Sequence, residues 1–487
     1  MIGKKLNRRD FLRLATVAAA GATMAACAPA AAPAAPAAPA ATSAPAATSA
    51  PAAAATAVPA AATAAPTAPP APTAVVPPPL DPTAVTWWYA WGNLDAGIQA
   101  FVKTDIFKQT MGDTKFDFKG AVPSEAILTA VAAGTPPDGG SNFDYPNLFS
   151  KGAVIAVNDY VATSKRINKD DVLEKLWESS FYGDKMIGVP GIEGFLWWGL
   201  NANIDTAQKA GLDPTTLPTT WEDVLAWHKK ETKFDSAGNL IQFGLDPYDA
   251  MAGEQDFAVQ SFGGFNWWDE QNRKINLNND AMATALDVCG QFIKVVGPDK
   301  FDGMRQTQGM GGWGGSYNAK MQNMIIEGYW HPGETAIQQP DVSKVNRATW
   351  APVPASRAGK KIMATGAHFI QIFKDAAHKD GMFKFSELLW TDEFSDILFK
   401  DVGWIFGRKS YLAKVDPTAY PGLDFYMQAA DKVDEWIIGR RCPIHWFIAT
   451  QYTEIRMKVA RDTMTAKEGA AELQKRAEDE WAAEGLS

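Results

Sequence analysis

Ala84–Trp91 (AVTWWYAW) is a continuous apolar, β-favouring run stopped by Gly92-Asn93, which predicts a strand. Ala96–Met111 follows with helical spacing, then a short strand near Lys115–Lys119. Ser124–Ala133 reads as a helix with Ser124 as its N-cap, ended by Gly134-Thr135-Pro136-Pro137. Strands alternating with helices imply an α/β body with mostly parallel sheets. Farther on, Met282, Ala285, Leu286, Cys289, Phe292, Ile293 and Val296 form one stripe of a helix over Ala281–Val296. A capping box, Thr465-Ala466-Lys467-Glu468, opens the last helix, whose stripe is Ala466, Ala470, Leu473, Ala477 and Trp481. These stripes are packing surfaces.

Before residue 83 no such pattern exists. Residues 28–80 carry no charge and no aromatic but nearly half of the chain's 31 prolines. Such a segment has little to bury, and residues 28–82 are expected to be a disordered Ala/Pro-rich tether. The 53 residues from Ala28 to Leu80 would span about 40 Å as a flexible coil. All 18 tryptophans lie beyond it, and abundant large aromatics mark either cores or ligand-facing surfaces. The net charge is −9, and the excess of acid grows once the basic N-terminus is set aside, which argues against nucleic acid as a partner. No segment reaches the ~18 uninterrupted apolar residues of a spanning helix.

Residues 1–27 (MIGKKLNRRDFLRLATVAAAGATMAAC) combine a basic head, an apolar run and small residues, the layout of an export signal. Arg8-Arg9 followed by Asp10, Phe11, Leu12 and Arg13 resembles a twin-arginine signal, with Asn7 where Ser or Thr is usual. Met24-Ala25-Ala26-Cys27 resembles a bacterial lipobox, which implies cleavage before Cys27 and its acylation, leaving the body lipid-anchored at the outer face of the cytoplasmic membrane. An ordinary signal peptide with an incidental cysteine is the alternative. Cys289 and Cys442 are the remaining cysteines, and whether they pair is open at this point.

The order of segments across residues 84–484 resembles the extracellular solute-binding proteins of ABC importers, in particular the sugar-binding class, family 1. Its pieces are AVTWWYAWGN, GTPPDGGSNFDYPNLFSKGAVIAVNDYV, DKMIGVPGIEGFLWWGLNAN, AGLDPTTLPTTWEDVLAW, AKMQNMIIEGYW, Thr365–Phe373 and GWIFGRKSY. AGLDP with TWED is the most specific. Ala367-His368 stands where the family often has Gly-Trp, and Trp404-Ile405-Phe406 replaces a Pro-containing turn. The resemblance implies a type II, two-lobed periplasmic-binding-protein-like α/β fold with three crossing segments and a ligand in the cleft. The expected lobes are 83–193 plus 348–395 and 194–347 plus 396–487. Implied too are a monomer and, as partners, the membrane subunits of an ABC transporter.

Sugars present hydroxyl rims and C–H ring faces, so a site for them needs flat aromatics beside short polar groups. Trp91 and Asn93 end the first strand; Asn142, Asp144 and Tyr145 follow the Pro-Pro-Asp loop; Glu193, Trp197 and Trp198 fall at the first crossing. Trp267 and Trp268 follow Gly263-Gly264, and Trp313 sits in a glycine-rich loop, GMGGWGG. By the resemblance, Trp330 with His331 matches the ligand-stacking Trp region, and His445 with Trp446 matches a later aromatic position. His368 and Trp404 complete the candidate set. Trp177, Trp221, Trp227, Trp350, Trp390, Trp436 and Trp481, and one of Trp87 and Trp88, are expected to be core.

An enzyme is not expected. Neither a Gly-x-Ser-x-Gly elbow, a P-loop ending, His-Glu-x-x-His nor Cys-x-x-Cys occurs, so catalytic residues, metal and cofactor are all expected to be none. The residues leave three competing functions open. Asp144 and Glu193 could form a glycosidase pair. The solute could be something besides a sugar, such as a polyamine or a metal, the latter held by His331, His368 and His445. The chain could also be a surface lipoprotein that binds polysaccharide.

Overall fold

The apolar run after residue 84 forms an interior strand of the first sheet. The computed structural model describes residues 76–248, 254–307, 309–310 and 314–486. The strands of its three main sheets are β1 (Val85–Tyr89), β2 (Phe116–Lys119), β3 (Gly139–Ser141), β4 (Val189–Glu193), β5 (Leu196–Trp197), β6 (Gly199–Asn203), β7 (Lys233–Phe234), β8 (Leu240–Leu245), β9 (Gln322–Glu327), β10 (Asn346–Trp350), β11 (Ile362–Thr365), β12 (His368–Ile372) and β13 (Glu435–Ile438). The first lobe holds the sheet β2-β1-β3-β12-β4 and the second β10-β6-β9-β8-β7, while β13-β11-β5 lies where the chain crosses between them.

Trp87 and Trp88 point to opposite faces of β1, and both are fully buried. Trp87 packs on Tyr89 and Phe385, and Trp88 sits among Ala126, Ile127, Phe143 and Phe373. Both members of the pair are core, because helices or loops cover each face of this sheet. The sheets are mixed rather than mostly parallel. β1 pairs parallel with β2 and β3, but β12 returns from the other lobe and pairs antiparallel with β3 and β4.

The stretch 96–111 forms two helices, Asp95–Phe101 and Asp105–Met111, since Thr104 leaves the helix and accepts the Phe107 N–H as a new cap. Ser124 is the first helical residue rather than the cap, a place taken by Pro123, which offers no side-chain acceptor. The second lobe is built around the helix Asp280–Val296, which buries every residue of the predicted stripe against Gln255–Gly263, His445–Ala460 and Ala466–Ala483. The capping box at Thr465 is formed. Trp221, Trp227 and Trp390 are buried; Trp177, Trp350, Trp436 and Trp481 are half-buried against the cores.

Two lobe boundaries fall later than the sequence suggested. β10 pairs along its whole length with β6, so Ala348–Trp350 belongs to the second lobe and the return follows it. The helix Asp392–Asp401 packs on Asp95–Phe101 with Phe394 and Leu398 in the first lobe's core, so that lobe extends past residue 396. Within the second lobe, Asp246 is buried between two guanidiniums, accepting from Arg305 and from Arg456 at 3.4 Å, with Tyr248 beneath both. Cys289 and Cys442 are buried free thiols. No described helix is long and apolar enough to cross a membrane.

Candidate functional site

The three crossing segments meet at Gly194. Its N–H donates to Ile405 O at 2.9 Å, and its carbonyl accepts from Gly407 N at 2.8 Å. A Cβ there would lie 2.4 Å from Gly366 O, and its φ is +146°. Only glycine lets the three strands approach this closely. Gly333 and Gly403 make a second such contact, a Cβ on Gly333 lying 2.6 Å from Gly403 Cα. That contact seats the helix Trp330–Gln338 against the last crossing.

Around these junctions the side chains form a ring. Trp91, at the end of β1, stands edge-on to His368 at 4.7 Å and to Trp404 at 5.3 Å between centroids. His368 stacks on Trp197 at 6.3 Å, and Trp197 meets Trp330 at 6.1 Å. Trp330 is half-buried and touches the cores of both lobes. Trp198 beside it holds a left-handed φ of +70°, unusual for so bulky a residue.

Carboxylates hold this ring by its polar edges. Glu193 accepts from the Tyr329 hydroxyl and faces His368 Nε2 at 3.3 Å. Glu327 accepts the Trp330 indole N–H at 3.0 Å, and Glu334 accepts that of Trp404 at 2.6 Å. Asn93, exposed at its rim, hydrogen-bonds Glu334. Burial pushes the Glu193 carboxyl up to about 7, and burial drives His368 well below the usual imidazole range. The pair is therefore a hydrogen bond with a neutral imidazole that also meets the Tyr145 hydroxyl at 3.0 Å.

Arg440 links the ring to a second polar cluster. Its guanidinium lies between Trp197 (5.0 Å) and Trp446 (4.8 Å) and donates twice to Glu254 Oε1. His445 lies 3.2 Å from Glu254 and 3.5 Å from Asp256. Burial opposes protonation of His445, but the charge and hydrogen bond of Glu254 outweigh it, so its pKa is raised. Glu254, Asp256 and His445 are spaced as metal ligands could be, yet Arg440 already neutralises Glu254. His331, His368 and His445 do not converge: His331 pairs with Glu327 and packs on Tyr317, away from the other two.

Trp91, Asn93, Glu193, Trp330, His368 and Trp404 are thus brought together, with His331 behind Glu327 and Trp446 reached through Arg440. Asp144 stands apart, near Lys151 and His445, where burial raises its carboxyl to about 7. Trp268 does not belong to the ring. It is buried in the second lobe against Trp481, centroids 5.2 Å apart, because its short hairpin folds back onto the last helix. Trp313 and Cys27 lie outside the described residues. Tyr329, Glu327, Glu334 and Arg440 were not anticipated, although Trp330 and Glu334 are four apart and so share a helix face.

Away from the ring, the lobes also touch directly. Lys151 pairs with Glu484, and Asn147 Nδ2 donates to Pro443 O at 3.0 Å. Arg441 donates to both oxygens of Glu270 in its own lobe and to Glu178 O of the other at 2.6 Å. These contacts tie the two lobes together.

No family model matches the chain, and no curated protein does. Solved structures do. CpMnBP1 with mannotriose bound is 20% identical with a TM-score of 0.66, over 81% of this chain and all of the other. An ABC transporter solute-binding protein from Thermotoga lettingae, bound with α-D-tagatose, is 17% identical with a TM-score of 0.65, over 81% and 98%. A Listeria monocytogenes ABC substrate-binding protein in complex with cycloalternan is 15% identical with a TM-score of 0.66, over 82% and 100%. The chain therefore has the two-lobed, type II fold of ABC-importer solute-binding proteins.

Proposed function

We propose that this protein is the substrate-binding component of an ABC importer, that it captures a carbohydrate between its lobes, and that it does no catalysis. The observation that carries this reading is the ring of Trp91, Trp197, Trp330 and Trp404 at the crossing segments, edged by Glu193, Glu327 and Glu334. Indole faces suit the C–H faces of a sugar ring, and carboxylates accept from its hydroxyls. The structural neighbours whose names record bound sugars support the same reading. Closure around the ligand removes it from water and reports occupancy to the membrane subunits. Asp144 and Glu193 are a poor glycosidase pair, since Asp144 lies among Lys151, His445 and Glu484 while Glu193 is held by Tyr329 and His368.

The test is titration with a panel of mono- and oligosaccharides, followed by tryptophan fluorescence and small-angle scattering. A sugar that binds is expected to reduce the radius of gyration by favouring the closed form. A panel in which no sugar changes either signal overturns the carbohydrate reading.

The same proposal places the body outside the cytoplasmic membrane, tethered through acylated Cys27. Cys27→Ser is expected to move the protein from the membrane to the soluble fraction on fractionation. Retention of that variant in the membrane would count against the anchor.

A further inference from the structure

The ring gathers more buried carboxyl groups than a neutral sugar needs. Glu193, Glu327 and Glu334 take their hydrogen bonds from Tyr329, Trp330 and Trp404, and none of the three is ion-paired with a lysine or arginine among the described residues. Burial first, and then the charge of Glu327, push Glu334 up to about 8, with Glu193 adding to the effect, so the three carboxyls act on one another.

The cationic and titratable groups facing them are engaged elsewhere or, for His331, reach only one oxygen of Glu327. Arg440 is bound to Glu254, and His368 is held neutral by burial. His445 lies between Glu254 and Asp256. His331 approaches Glu327 through Nδ1 at 3.3 Å, and among the described residues its Nε2 has no hydrogen-bond partner.

One atom points to the missing partner. Glu327 is 1% exposed, and among the described residues its Oε1 has no hydrogen-bond partner, while Oε2 of the same carboxylate holds the Trp330 indole. The free oxygen is thus one carboxylate width from the edge of the ring. A buried carboxylate oxygen left without a donor is costly unless something completes it. The tryptophans supply the other half of the requirement. A cation against an indole face is stabilised by about 0.5–1 kcal/mol at an exposed site and about 2 or more when desolvated.

We infer that the ligand presents a protonated amine to Glu327 and Glu334, inside the tryptophan ring. This rests on reading the crossing region as the ligand site, and it narrows the ligand to an amine-bearing glycoside. A sugar hydroxyl can satisfy Glu327 Oε1 as a donor but brings no charge to the carboxyl cluster. An ammonium group donates up to three hydrogen bonds and cancels charge as well. A linear polyamine offers the same group without the sugar ring.

The experiment is calorimetric titration at pH 6.5 with matched series: glucose, glucosamine and N-acetylglucosamine; cellobiose, chitobiose and N,N′-diacetylchitobiose; and spermidine alone. The free amine of a series is expected to bind at least tenfold tighter than its hydroxyl and N-acetyl counterparts. Glu327→Gln and, separately, Glu334→Gln are expected to reduce that ratio at least fivefold. Either variant suffices if the other does not fold. A hydroxyl or N-acetyl member binding as tightly as its amine overturns the inference and leaves the carbohydrate proposal standing. Spermidine binding with no sugar binding does the reverse. No binding by any amine overturns the inference, whatever the neutral sugars do.

Discussion

Trp330→Ala is expected to weaken carbohydrate binding by roughly thirtyfold, the equivalent of about 2 kcal/mol for a buried aromatic anchor. Trp330 touches Trp197, Trp198 and Tyr329, with centroids at 6.1, 6.4 and 5.6 Å, and its indole N–H holds Glu327. Truncation therefore removes a stacking face and also releases a carboxylate. Because Trp330 contacts the cores of both lobes, the unfolding midpoint must be measured with the affinity. Trp404→Ala is the companion, since it frees Glu334 without opening the second lobe's core. Unchanged affinity in Trp330→Ala, by calorimetry on a cooperatively folded variant, would show that the ring is not where the ligand binds.

The largest loss of stability is expected at Asp246. Asp246→Ala leaves Arg456, which is fully buried, and Arg305, mostly buried, without their shared carboxylate. Removing one partner from a buried ion pair costs about 3–5 kcal/mol, because the remaining charge is left in low dielectric. Denaturant unfolding should show a lower midpoint. Affinity measured well below the transition should be unchanged, since Asp246 lies in the second lobe's core elements and takes no part in the ring. The double replacement Asp246→Leu with Arg456→Met should recover much of the loss, as it removes the charge together with its partner. A single variant as stable as the parent would mean that solvent reaches the guanidiniums.

Ala367-His368, a departure from the resembled family's pattern, acquires a physical role at the crossing. His368 sits between the Tyr145 hydroxyl and Glu193 and packs between Trp91 and Trp197. Trp404, the other departure, stands edge-on to Trp91 and closes the ring from the last crossing. Both departures thus fall on side chains of the candidate site, consistent with a ligand that differs among proteins of one fold.

By itself, the sequence determined what local pattern can determine. The stripe of Asp280–Val296, the capping box at Thr465 and the helix Ser124–Ala133 rest on residues within one or two turns of each other, and all three formed. The order of segments was enough to anticipate two lobes and three crossings. The tertiary structure alone decided which tryptophans share a site. Trp268 and Trp404 sit in equally polar and aromatic surroundings along the chain, yet Trp268 is packed under Trp481 and Trp404 faces Trp91. The tertiary structure also supplied Glu327 and Glu334, and it moved the lobe boundaries past Trp350 and Asp401. The ring joins residues such as Tyr145 and His368, 223 positions apart, through strands that cross between lobes. Periodicity records which face of an element is buried; it carries no record of which distant element will cover that face.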